Sequence, residues 1–292
     1  MTSPRRAGHA LPALALTLNA LTWGVSWWPF RELQSRGLHP LWATVLIYVV
    51  AVLAITLWRR GAWGELLRTP SLWLLVLASG TTNATFNWAV TVGDVVRVVL
   101  LFYLMPLWSV LLARLLLHEA LSTAAALRVA MALAGAAIVL WPAEGGAPLP
   151  RTLPEWLGVL GGFSFALNNV LLRREAAQPA AARALAMFLG GSLVAALIAL
   201  ALGAQGLVPP PPAPALGWIV GGLLMGAVFL VGNMALQYGA SRLPAHVTAV
   251  VMITEVLFAS GSAVLLGASS LTLGLLLGGA LIVGASLLAG HG

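Results

Sequence analysis

Asn19, Trp23 and Trp27 recur at i, i+4 and i+8, which on a helix sets an amide and two indoles in one stripe. The same four-residue spacing returns in Asn83 and Asn87, in Ser164 and Asn168, and in Asn233 and Gln237. Thr82 and Trp88 flank the second pair, Asn169 follows the third, and Tyr103, Thr248, Met252 and Thr254 add further polar or polarisable groups. All of them lie inside long apolar runs, where a polar group is costly unless it finds a partner. Taken singly, each Asn or Ser reads as a hydrogen bond gluing two helices, at roughly 0.6–2 kcal/mol. Taken together, amides beside aromatic walls suit a zwitterionic or polar-neutral solute with an apolar side chain. They offer donors and acceptors without a fixed charge that would trap the solute.

Glu255 is the one acidic residue at the centre of an apolar run, and an ionised carboxylate at that depth is expensive. Two readings of it stand side by side. It contacts a substrate amino group or carries a coupling proton, or it is a neutral acid bonded to a neighbouring helix. His246, about two turns earlier, could join a proton path, although a lone His near a helix end is more often simply hydrated. Pro106, in the middle of another apolar run, frees a backbone carbonyl and permits a kink, either a gating hinge or a static bend.

Enzyme chemistry finds no foothold. His118-Glu119 lacks a second His four residues after the first, Ser122 standing there instead, so the zinc-protease motif is missing. Asp94 is the only Asp, which excludes a di-aspartyl protease, and no nucleophile-elbow or Walker-type motif occurs. No Cys is present, which removes thiolate metal sites and Cys nucleophiles. No catalytic residue, metal site or cofactor is expected.

The elements that position these residues follow from composition. Hydrophobic residues make up 60% of the 292 and charged residues 8%, too few to cover the surface of a soluble domain of this length. All fifteen cationic side chains are Arg, spread singly or in pairs between apolar runs, which is how membrane topology is encoded and not how a nucleic-acid face looks. Runs long enough to cross about 30 Å of hydrocarbon fall at 10–30, 40–58, 71–91, 95–116, 121–141, 155–173, 183–203, 216–238, 244–266 and 271–289. Arg5 and Arg6 before the first run resemble a signal peptide, but without a cleavage site leading to a polar region the run is expected to be retained. With a cytoplasmic N-terminus, ten Arg fall on inner segments and four on outer ones, so both termini are expected in the cytoplasm of a bacterial inner-membrane protein. Trp42, Trp58, Trp73, Trp141, Trp156 and Trp218 sit near run ends as interfacial anchors.

The chain also repeats. Val98, Thr123 and Gly135-Ala136 meet Val247, Thr272 and Gly284-Ala285 at an offset of 149 residues, and Asn87 and Gly93 meet Asn233 and Gly239 at 146. The expected fold is therefore an all-α membrane protein of ten transmembrane helices in two five-helix repeats, 1–147 and 148–292. Five spans is an odd number, so the second repeat enters the membrane inverted, an arrangement found mainly in transporters with a midplane site between the halves. Three small-xxx-small seams, Gly217 to Gly221, Gly222 to Gly226 and Gly274 to Gly278, read as packing within one bundle, so a monomer is favoured.

The Trp23-Gly24 pair, Pro106 in mid-run, Glu119 and Gly135 resemble the drug/metabolite transporter superfamily, EamA type, over essentially the whole chain. The second half departs from that pattern, with Glu255 where the mid-helix Pro falls and Ala268 where the acidic residue falls, so the two halves are not functionally equivalent. The resemblance implies a ten-span exporter of amino acids or related metabolites, with a central cavity lined by both halves and aromatic or hydrophobic amino acids as leading cargo. Drugs or other metabolites are the alternative, and a channel or lipid scramblase a more distant one. The expected partners are a small-molecule substrate and membrane lipid, not nucleic acid.

Overall fold

The computed structural model describes residues 7–117, 123–141, 147–240, 242, 251–252 and 254–289. Within them the chain is helical apart from short connections: α1 (Ala7–Val25), α2 (Trp27–Ser35), α3 (Pro40–Trp58), α4 (Gly61–Arg68), α5 (Pro70–Val92), α6 (Val95–Phe102), α7 (Met105–Leu117), α8 (Thr123–Leu140), α9 (Leu153–Arg174), α10 (Ala180–Gly203), α11 (Leu216–Ala240), α12 (Thr254–Leu265) and α13 (Leu273–Ala289). Helix thus falls in each segment predicted from hydropathy. Proline starts α3 and α5 within the first turn, where its missing N–H is an orphan anyway.

Four helical stretches are long and apolar enough by themselves to cross a membrane: Pro40–Trp58, Val95–Leu116, Ala180–Gly203 and Leu216–Leu236. The 23-residue α5 is long enough but carries Ser79, Thr81, Thr82, Asn83, Thr85, Asn87 and Thr91, and that polar load lowers its hydropathy. Leu11, Leu14, Leu53, Leu57, Leu197, Leu200, Leu224, Leu276 and many similar side chains are exposed on outward faces. Apolar cover on this scale fits lipid as the solvent and not water. The protein is a multi-pass helical membrane protein.

Two predicted runs are broken. The first divides at Ser26, whose Oγ and N–H both donate to the Trp23 carbonyl, at 2.8 and 3.2 Å, before α2 begins at Trp27. The fourth divides at Tyr103 and Leu104, two residues ahead of Pro106. Proline at 106 has no N–H to give the Phe102 carbonyl. That carbonyl lies so close to Gly162 of α9 that a Cβ there would collide with it.

The packing has a regular plan. α5 packs on α10 and α9, while α11 packs on α3 and α1. α1 packs on α12 as α9 packs on α6 and α7, and α8 packs on α13. Exchange of the first five predicted spans with the last five turns this set of partners into itself. Small residues mark the matching places. Gly80 of α5 abuts Gly190 of α10, and Gly226 of α11, 146 residues on, abuts the Ile47 carbonyl of α3. A Cβ on Gly135 of α8 would lie 2.7 Å from the Gly278 oxygen of α13, and one on Gly278 would lie 2.6 Å from the Gly135 oxygen. The two predicted seams that include Gly226 and Gly278 are thus used inside the bundle.

Candidate functional site

A cavity of about 100 Å³ lies where α1, α3, α5, α6, α9, α10, α11 and the segment from Met252 to Glu255 converge. α1 presents Asn19 and Trp23, α5 presents Ser79, Thr82, Asn83 and Phe86, and α9 presents Phe165 and Asn168. α11 adds Phe229, Asn233 and Leu236, and Met252 and Glu255 close the wall. Tyr48, Phe102, Met187 and Phe188 complete it.

Gly24 sets how near α1 comes to α12. A Cβ at that position would lie 2.8 Å from the Glu255 carbonyl oxygen and 2.7 Å from the Phe258 Cβ. The Trp23-Gly24 pair therefore joins a cavity-wall indole to the point of closest helix approach. Aromatic rings continue from Trp23 around the wall: its centroid lies 4.6 Å from Phe229 and 6.3 Å from Phe86, Phe86 lies 4.7 Å from Phe102, and Phe102 lies 5.3 Å from Phe165. Edge-to-face and tilted contacts of this kind hold ring planes in place.

The polar groups are arranged around those rings. Tyr48 donates its hydroxyl to Asn83 Oδ1, and Asn83 Nδ2 donates to the Ser79 carbonyl at 2.8 Å. Tyr103 donates to Glu255 Oε2 at 3.1 Å, a bond that reaches from the first half of the chain to the second. Asn19 Nδ2 donates to the Gly232 carbonyl at 2.8 Å, leaving Asn19 Oδ1 buried with no partner. Asn168 Oδ1 is also buried without a partner.

Of the residues singled out in the sequence, Asn19, Trp23, Asn83, Asn168, Asn233, Met252 and Glu255 come together on this wall, and Tyr103 stands behind Glu255. Three others lie elsewhere. Trp27 follows the Ser26 break and donates Nε1 to Ser262 Oγ at 2.9 Å, while Arg31 stacks over its ring at 4.9 Å. Asn87 Nδ2 donates to Thr44 Oγ1 at 3.1 Å between α5 and α3, the helix-gluing role. Ser164 is buried on α9 outside the wall. His246, Glu119 and the side chains of Pro106 and Gln237 fall outside the described residues. Tyr48, Phe86, Phe102, Phe165, Phe188 and Phe229 carried no signal in the sequence, because an aromatic residue in an apolar run is indistinguishable from ordinary packing.

Two features flank the cavity. Toward the end that holds α4, a larger cavity of about 830 Å³ lies between α3, α4, α10 and α11, and Phe188 and Asn233 line both spaces. At the opposite end Arg31 donates Nε to the Thr91 carbonyl at 3.0 Å and a terminal nitrogen to the Gly93 carbonyl at 2.6 Å. There Arg97 also pairs with Glu155 at 2.7 Å, and Ser269 Oγ donates to Asp94 Oδ2 at 2.6 Å. Among the described residues no group of His, Asp and Glu is placed to hold a metal.

These features define a multi-pass helical membrane protein with a polar-aromatic cavity between its two halves. Residues 10–141 match the model of the EamA-like transporter family. Over 160 residues the chain is 29% identical to a Pseudomonas aeruginosa protein described as an uncharacterized transporter, across 48% of this chain and 51% of that protein. The chain therefore spans about half the length of that relative. A solved crystal structure shares the fold, with a TM-score of 0.60 and 20% identity over 95% of this chain and 96% of that one. The named matches are transporters and not enzymes.

Proposed function

We propose that the whole chain is a secondary transporter of the EamA type, built as two inverted five-helix repeats, 1–147 and 148–292. It exports amino acids, aromatic or hydrophobic ones foremost, by alternating access across a bacterial inner membrane, with both termini in the cytoplasm. The observation that carries this reading is the cavity itself. It is enclosed by helices from both halves, walled by aromatic rings, and supplied with neutral amides and one carboxyl group. The exchange of packing partners between the halves supports the repeat, and the match over residues 10–141 supports the class. Asn19, Trp23, Asn83, Asn168, Asn233 and Met252 are the proposed cargo contacts. Glu255, buried and bonded to Tyr103 of the other half, is the group placed to meet an amino group or carry a coupling proton.

The test is flux of each of the twenty amino acids in proteoliposomes holding the purified chain, with and without a pH gradient. Saturable flux confined to aromatic and hydrophobic members is expected. A flat response across all twenty sinks the amino-acid reading in favour of drugs or other metabolites. Unsaturable leak or lipid movement would indicate a channel or scramblase instead.

A further inference from the structure

The cavity's polar groups are unequal in kind. Asn19 Oδ1 cannot turn away from its task, because Nδ2 of the same amide is committed to the Gly232 carbonyl and a flip would set oxygen against oxygen. Asn19 is 1% exposed and Asn168 2%, and each keeps a carbonyl oxygen without a partner. The two are separated by 149 residues, the offset that relates the halves, so each half contributes the same empty acceptor. Glu255 lines the same cavity with a carboxyl group whose Oε2 accepts from Tyr103. A buried acceptor left unsatisfied costs about 1–3 kcal/mol, so two such amide oxygens on residues of one cavity wall, beside the Glu255 carboxyl group, call for a donor from outside the protein.

Cationic partners for a carboxylate are missing. No Arg, Lys or His belongs to the described wall. Tyr48, Ser79, Thr82 and Asn83 have already given their polar hydrogens to Asn83, Met187, Ala78 and Ser79. A ligand carboxylate entering here meets a carboxyl group and amide oxygens. An ammonium group meets the Glu255 carboxyl group, amide oxygens and the faces of aromatic rings, which attract cations.

Building on the transporter reading above, the geometry points to a cavity that reads the amine of its cargo and not the carboxylate. Asn19, Asn168 and Glu255 hold the amine and the aromatic wall holds an aryl side chain, so small arylalkylamines bind at least as well as the matching amino acids.

Three probes with one ring in common test this: phenylalanine, phenethylamine without the carboxylate, and 3-phenylpropionate without the amine. Binding to the purified full-length chain is read from ligand-induced thermal stabilisation, and flux from proteoliposomes. Phenethylamine is expected to half-saturate at or below the phenylalanine concentration, and 3-phenylpropionate at least tenfold above it. Glu255→Gln should shrink that gap to threefold or less. If Glu255→Gln does not purify, Asn168→Leu is expected to reduce the gap in the same direction. Equal binding of 3-phenylpropionate, binding of none of the three, or a gap that survives the substitution overturns the inference. Amine-selective binding without saturable flux would defeat the transporter reading and leave the amine assignment standing. Saturable flux indifferent to the amine would do the reverse.

Discussion

The two ends of the bundle are closed by different means. At one end, Arg31, Asp94 and Ser269 tie α2, α5, α6 and the connection before α13 together by charge-assisted hydrogen bonds, and the Arg97–Glu155 ion pair ties α6 to α9. Glu155 Oε2 also accepts from the Arg151 amide at 2.7 Å, so one carboxylate serves the start of α9 and the neighbouring α6 at once. At the other end a cavity of about 830 Å³ lies between α3, α4, α10 and α11. On the proposed orientation the stitched end faces outward and the cavity faces the cytoplasm. The difference teaches where the proposed alternating-access cycle spends its effort. Exposing the site outward means breaking those polar contacts, whereas on the other side a cavity already adjoins the site through Phe188 and Asn233.

The comparison can be broken from either side. Glu155→Ala strips Arg97 of its partner and the α9 start of its acceptor, a loss of about 1–3 kcal/mol. The chain has no native Cys, so Thr82→Cys on the cavity wall gives a single reporter. Its labelling by an impermeant thiol reagent from the stitched side should rise roughly tenfold in the Glu155→Ala background. An unchanged rate would mean that the ion pair does not seal that end. Gly24→Leu forces α1 away from the Glu255 backbone at mid-depth, and overpacking of this kind costs about 1–3 kcal/mol. It should lower the melting temperature and raise labelling from both sides alike, which separates a general loosening from a one-sided one. Ser269→Ala removes one bond to Asp94 while the cap from Asp94 Oδ1 to the Arg97 amide remains. About 0.5–1.5 kcal/mol is expected, seen as a severalfold labelling rise from the stitched side only.

The smallest effect is expected at His39. Its Nδ1 accepts from the Leu41 amide at 3.3 Å at the start of α3, its ring lies 5.2 Å from Trp88, and half-burial holds its pKa below the ordinary histidine value. A depressed pKa means that the folded protein prefers the neutral ring, so this contribution is present above about pH 6.5 and is lost as pH falls. Melting temperature should decline on mild acidification, and His39→Gln should flatten that slope slightly.

What the sequence reveals depends on whether a residue breaks a local rule. Apolar runs marked the long helices because hydrocarbon demands length, but they missed the short α4 between runs, and the breaks at Ser26 and at Tyr103–Leu104 depend on side-chain and proline geometry that periodicity averages away. That is why the Asn19–Trp23–Trp27 stripe ran one residue too far: Trp27 lies beyond a turn and bonds to Ser262. Asn19, Asn83, Asn168, Asn233 and Glu255 were legible because a polar group at depth costs free energy. Asn87 obeyed the same rule for a different purpose, holding α5 to Thr44. The aromatic half of the wall broke no rule, and so only the fold could reveal it.

Among the described residues no side chain of α8 or α13 lines the central cavity, and these two helices are joined to each other through the Gly135–Gly278 contact. They form a brace outside the proposed cargo path. Across evolution such a pair is free to drift or be recombined between relatives without altering what is carried. Differences in cargo range among related chains should therefore track the other helices, and a chimaera that exchanges α8 and α13 together should keep the cargo range of the parent that supplies the rest.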